Sequence, residues 1–105
     1  MRARAWSNGG TTQSGAGYGV RITPKDRDRF FERGWNTVNV ELPGDGTVEV
    51  HLSDSFWRNC TELRSSSIGR WLLEKRLAPW PSGRPPVLEL TPRGNGHFTI
   101  SSTSS

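Results

Sequence analysis

A chain of 105 residues with 31% apolar side chains and no internal repeat has the material for one domain with one modest core, not two. Its net charge of +4 and isoelectric point near 10.2 lean toward a polyanionic partner, and its single cysteine, Cys60, excludes an internal disulfide and suits a reducing compartment. No stretch approaches the roughly 20 apolar residues of a membrane span, and no secretory leader is evident, so the expected setting is cytoplasmic in a bacterium and nuclear in a eukaryote, with no membrane partner.

The chain opens with Arg2 to Trp6, a candidate first strand that is basic on one side and small on the other. Ser7 to Gly17, rich in glycine and free of charge, has the composition of a flexible linker. It also fits a presented loop, with Asn8, Thr11, Thr12, Gln13 and Ser14 able to hydrogen-bond phosphates and base edges while the glycines permit close approach. Gly15, Gly17 and Gly19 lead into the strand pattern of Tyr18 to Ile22, not into a helix, so a dinucleotide-binding loop fails its context.

Thr23-Pro24-Lys25-Asp26 predicts a helix start: a Thr cap, Pro at the first helical position and an acidic group three residues on. The helix is expected to reach about Arg33 and stop at Gly34, its alternating Asp, Glu, Lys and Arg side chains forming a solvated face while Phe30 and Phe31 reach the core. Val38, Val40 and Leu42, then Val48, Val50 and Leu52, alternate with polar residues on either side of Pro43-Gly44-Asp45-Gly46, the clearest hairpin in the chain.

From Ser53 to Arg76 an exposed polar run joins a compact apolar helix. Arg58, Asn59, Thr61, Glu62, Arg64 and Ser65 follow the aromatic pair Phe56 and Trp57, and this mixture suits a DNA duplex: Arg forks match guanine edges or phosphates, Asn the adenine edge, Glu the cytosine amine, and Ser or Thr phosphate oxygens. Ile68, Trp71, Leu72, Leu73 and Leu77 then set a helical period, with Ser66 or Ser67 as its cap. Pro79, Pro81, Pro85 and Pro86 enforce an extended loop around Trp80, and Val87 to Leu90 and Phe98 to Ser101 form a closing hairpin across Asn95-Gly96. One domain spans residues 1–101, with a frayed tail at 102–105.

The charge is unevenly placed. Residues 1–35 carry a net +4, residues 36–52 a net −3 and residues 53–76 a net +2. Two basic blocks on either side of an acidic hairpin fit one polyanion touched from two places, although a solvated basic face is the plainer reading. Catalytic patterns are weak. His51 and His97 lack zinc spacing, Cys60 has no orienting base, and Asp45, Glu49 and His51 lie on hairpin surface, so no catalytic residue, metal, cofactor or small-molecule substrate is expected.

Taken together, Val20-Arg21-Ile22-Thr23-Pro24-Lys25 with Phe30 and Phe31, the hairpin Val38 to Leu52, Phe56-Trp57 before a basic run, and Ile68-Gly69-Arg70-Trp71-Leu72-Leu73 with Leu77 resemble the B-three DNA-binding pseudobarrel. That family serves plant transcription factors and the effector or target-recognition domains of some bacterial restriction endonucleases. Gly83-Arg84-Pro85 stands where its usual closing Gly-Asp would be. The resemblance implies a mainly β (α+β) fold, a seven-stranded open pseudobarrel with two short helices, gripping the major groove of double-stranded DNA between two arms. Residues 7–14 would be one arm and residues 58–65 the other. Arg58 and Arg64 would read guanines or clamp phosphates, Asn59 and Gln13 would read bases, Thr61, Glu62 and Ser65 would refine register, and Arg2, Arg4, Arg21 and Lys25 would hold the backbone. A nuclease domain or subunit would be a natural further partner. The alternatives are a single-stranded or RNA-binding barrel stacking bases on Tyr18, Trp35 and Trp57, a small metal-dependent nuclease centred on Glu49 and His51, and a protein-interaction barrel with no nucleic-acid partner.

Overall fold

The computed structural model describes residues 1–102. Seven strands and three short helices form a mainly β fold: β1 (Arg2–Ser7), β2 (Tyr18–Arg21), α1 (Pro24–Phe30), β3 (Thr37–Leu42), β4 (Gly46–His51), α2 (Asp54–Arg58), β5 (Glu62–Arg64), α3 (Ser66–Glu74), β6 (Val87–Gly94) and β7 (His97–Ser102). The strands make one mixed sheet in the order β4-β3-β7-β6-β1-β2-β5, with β3 and β7 its parallel pair. The sheet curls until its edge strands β4 and β5 come alongside each other without a ladder, an almost closed pseudobarrel. No helix among the described residues is long and apolar enough to cross a membrane.

Strand alternation builds the core. Ala3 and Ala5 of β1, Val20 of β2, Leu63 of β5, Val38, Val40 and Leu42 of β3, Leu88 and Leu90 of β6, and Phe98 and Ile100 of β7 all point inward and are buried. α1 and α2 pack where β2 and β4 finish, and there Phe31 stacks on Phe98 with ring centroids 4.7 Å apart and meets Phe56 at 5.2 Å. α3 closes the opposite end with Ile68, Trp71 and Leu72, and the Trp71 indole N–H donates to the Pro43 carbonyl at 3.3 Å.

Several expectations are corrected. α1 ends at Phe30, three residues before Arg33, because Phe31 turns into extended backbone (φ −119°, ψ 142°) and buries its ring against Phe98. Among the described residues there are three helices, not two: α2 occupies Asp54–Arg58, the approach to the expected arm at 58–65, and takes that arm's first residue, Arg58, into its last turn. The cap of α3 is Ser65, whose hydroxyl accepts from the Ser67 amide at 3.2 Å, one residue before the expected caps. Arg27, assigned by sequence to a solvated face, is buried, donating to the Phe56 carbonyl and to Asp28, each at 3.0 Å. It fastens α1 to α2. Ser102 belongs to β7 and not to a tail; the remaining tail residues, 103–105, lie outside the described residues.

Candidate nucleic-acid interface

The outward face of β1, β2 and β5 is the most strongly basic surface the registers assemble. β1 pairs with β2 so that Arg4 lies opposite Arg21, and β2 pairs with β5 so that Arg21 lies opposite Glu62, which forms one row, Arg4-Arg21-Glu62. The next outward row is Trp6-Gly19-Arg64. Side chains two apart on a strand share a face, so Arg2 continues the β1 column. Four guanidinium groups and one carboxylate therefore share this face on three adjacent strands, with Arg21 and Arg64 holding the carboxylate.

Arg2, Arg4 and Arg21 rim a cavity of about 550 Å³, completed by Asn59, Thr61 and Glu62 from β5 and its approach, and by Ile22, Thr23, Pro24 and Asp26 from the start of α1. Arg21 donates to Glu62 at 3.2 Å, whereas the side chains of Arg2 and Arg4 make no ion pair among the described residues. A second hollow, of about 310 Å³, lies at the other end of the strip between Trp6, Asn8, Tyr18, Arg64 and Ser65. The Arg64 guanidinium sits 4.8 Å from the Trp6 ring centroid and donates to Glu62 at 3.1 Å. Glycine at position 19 is required by close approach: a β-carbon there would overlap the Leu63 carbonyl and come within 3.0 Å of the Arg64 Cα.

The loop at residues 8–17 is built as a turn and docked. Asn8 accepts the Gly10 amide at 2.8 Å on its side-chain oxygen, the Thr12 and Ser14 hydroxyls meet at 2.7 Å, and the Thr12 and Gly15 backbones close on Ala16 and Thr12 at 3.1 Å. Gly15, at φ +96°, presses against the first turn of α3, where its missing side chain leaves room for the Ser66 carbonyl and the Arg70 amide; Gly69 presents its own bare Cα to Gly15 in return. The contact fixes the loop beside Arg64 and Ser65. Thr11 and Gln13 stay exposed on it.

Residues 58–65 are not a free arm. Arg58 ends α2, Asn59 and Cys60 turn back by donating to the Ser55 carbonyl, and Glu62–Arg64 is strand β5. Thr61 is buried, its hydroxyl bonded to the Ile22 carbonyl, Glu62 is buried between Arg21 and Arg64, and the Ser65 hydroxyl caps α3. These three side chains are already engaged. Asn59 and Arg64 stay exposed on the face, while Lys25 and Arg58, also exposed, lie beside it without lining either hollow.

Trp6 is the member of the site that sequence reasoning missed, although its place two residues beyond Arg4 on a strand was the available signal. The expected stacking platforms are occupied: Tyr18 is buried against Trp80, Trp35 packs on Phe31 and Phe98, and Trp57 lies under Arg27 and Arg33. Glu49 and His51 are exposed on β4, Cys60 is half-buried, and among the described residues no three His, Cys, Asp or Glu side chains gather into a metal-holding group. No protein-family model matches the chain, and neither a curated protein nor a solved structure matches it.

Proposed function

We propose that this chain is a non-catalytic, B-three-like domain that binds double-stranded DNA sequence-specifically, with the β1-β2-β5 face toward the duplex. The observation that carries the reading is the convergence of Arg2, Arg4, Arg21 and Arg64 on one outward face, with the docked loop at residues 8–17 at one end and Asn59 at the other. β1, with six residues, separates those ends by about 20 Å, enough to reach across a major groove about 12 Å wide to the phosphates on its rims. In this arrangement Arg2, Arg4 and Arg21 neutralise phosphates, Gln13 and Asn59 enter the groove from the two ends, and Arg64 offers its fork to a guanine edge or a phosphate. Lys25 and Arg58 add charge at the margin. The domain would serve a regulator or the recognition part of a restriction system equally well, the latter with a nuclease domain or subunit as partner.

Selection from random duplexes at two salt concentrations tests the proposal. A recovered consensus, with an affinity that falls by roughly three to four logarithmic units per unit of log salt, is expected if four arginines displace counterions. Absent or salt-insensitive binding would overturn it. Trp6 supports one competing reading, a single-strand groove with Trp6 as stacking platform, which predicts that a single-stranded oligonucleotide outcompetes the duplex.

A further inference from the structure

We infer that Glu62 is the positioning residue of this face: a buried carboxylate that sets the separation and orientation of the Arg21 and Arg64 forks for contact with DNA, an inference that rests on the DNA-binding reading. Glu62 is an outward-facing strand residue, yet its side chain is only 4% exposed, against 56% for each arginine that covers it. It cannot reach a base. One carboxylate oxygen accepts Arg21 Nε at 3.2 Å and the other accepts Arg64 Nη2 at 3.1 Å, so both of its oxygens are committed inside the protein.

The bonds leave the useful donors free. Arg21 spends its Nε and keeps both terminal nitrogens for a ligand, and Arg64 spends one terminal nitrogen and keeps the other with Nε. Arg64 is restrained a second time by the Trp6 ring at 4.8 Å, across the position where Gly19 offers no side chain to keep the two apart. A long side chain already held in its working geometry loses less freedom on binding than a mobile one. Arg2 and Arg4, with no such restraint, form a second class of cation on the same face. The free pair attracts any duplex; the restrained pair, with Arg21 on a phosphate and Arg64 on a base edge or phosphate, fixes the register in which a duplex is read.

Electrostatics and positioning predict opposite signs for one substitution. Glu62→Gln removes a negative charge from a basic face while keeping side-chain shape, so if charge alone mattered every duplex would bind more tightly. Positioning predicts instead that affinity for the selected site falls about tenfold while affinity for random duplex holds or rises, which collapses the specificity ratio. In the free protein the Arg64 guanidinium resonances, in restricted rotation in the wild type, would average. Arg64→Lys should give a similar loss of discrimination, and the double variant no further loss, since the two residues act as one unit. If Glu62→Gln fails to fold, Glu62→Asp decides the matter: it keeps the charge but draws the carboxylate back by one methylene from Arg21 and Arg64, so charge alone predicts the wild-type specificity ratio and positioning predicts its collapse. A Glu62→Gln protein that keeps the wild-type specificity ratio, or additive losses in the double variant, overturns the inference and leaves the DNA reading standing. A wild type that binds no duplex removes both.

Discussion

Two outer faces of one barrel carry opposite characters. The β1-β2-β5 face presents Arg2, Arg4, Arg21 and Arg64, and the β3-β4 hairpin presents Glu41, Glu49 and Asp45 among Thr37, Asn39, Thr47 and His51. Both obey the same alternation, and their inner faces share one core through β7 and β6, which separate them in the sheet. The difference between them is therefore written only in the outward positions. Folding is indifferent to the sign of those charges and binding is not, so the charge-sorted face is where partner recognition should reside.

The comparison can be broken at its common root. Phe98→Ala, which deletes a ring stacked on Phe31 between the two faces, should cost about 3 to 5 kcal/mol in urea unfolding and loosen both faces together. A loss confined to one face would mean two independent cores. On the faces themselves, Arg64→Ala should lower duplex affinity by about 1 to 3 kcal/mol and relax preference at one base position, while Glu49→Ala, measured by the same titration, should change affinity by less than about 0.5 kcal/mol. Equal effects would erase the distinction.

Gly69→Ala sharpens it further. Alanine is the better helix former by about 1 kcal/mol, but its methyl group would overlap the Gly15 carbonyl, a clash worth about 1 to 3 kcal/mol. The clash should win, displacing the loop at residues 8–17, weakening duplex binding, and leaving amide exchange in the β3-β4 hairpin unchanged. The smallest effect belongs to the turn of the acidic hairpin, where a hydrogen bond that the protonated Glu74 carboxyl donates to Asp45, and then the Asp45 charge, raise the pKa of Glu74. A carboxyl that binds its proton more tightly when folded supports folding at low pH and withdraws that support as pH rises through its folded value. Glu74→Gln should accordingly raise the thermal midpoint slightly at pH 7, with the gain disappearing below the ordinary glutamate range.

Much of this barrel was legible in the chain. Alternation marked β3 and β4, Asn95-Gly96 marked the closing turn, and Thr23 caps α1 as its position predicts, its hydroxyl accepting the Asp26 amide at 3.1 Å. Short elements were not legible. Five residues of α2 and three of β5 are too few to show a period, and β5 is a strand only because β2, more than forty residues earlier, supplies its ladder. The charge blocks revealed which segments are basic, but only register revealed that Arg4, Arg21 and Arg64 share a face with Trp6. Arg27 and Glu62 read as surface charges because burial of an ion depends on the distant partner that neutralises it.

The position of β6 and β7 between the two halves of the sheet governs how the protein can come into being. While a ribosome is still making residues before Val87, β3-β4 and β1-β2-β5 have no ladder joining them, and β1 and β3 each expose a row of unsatisfied amides and carbonyls. The β6-β7 hairpin, made after both halves it joins, is the keystone, so a nascent chain stalled short of it would present two sticky sheet margins to its neighbours and no finished domain.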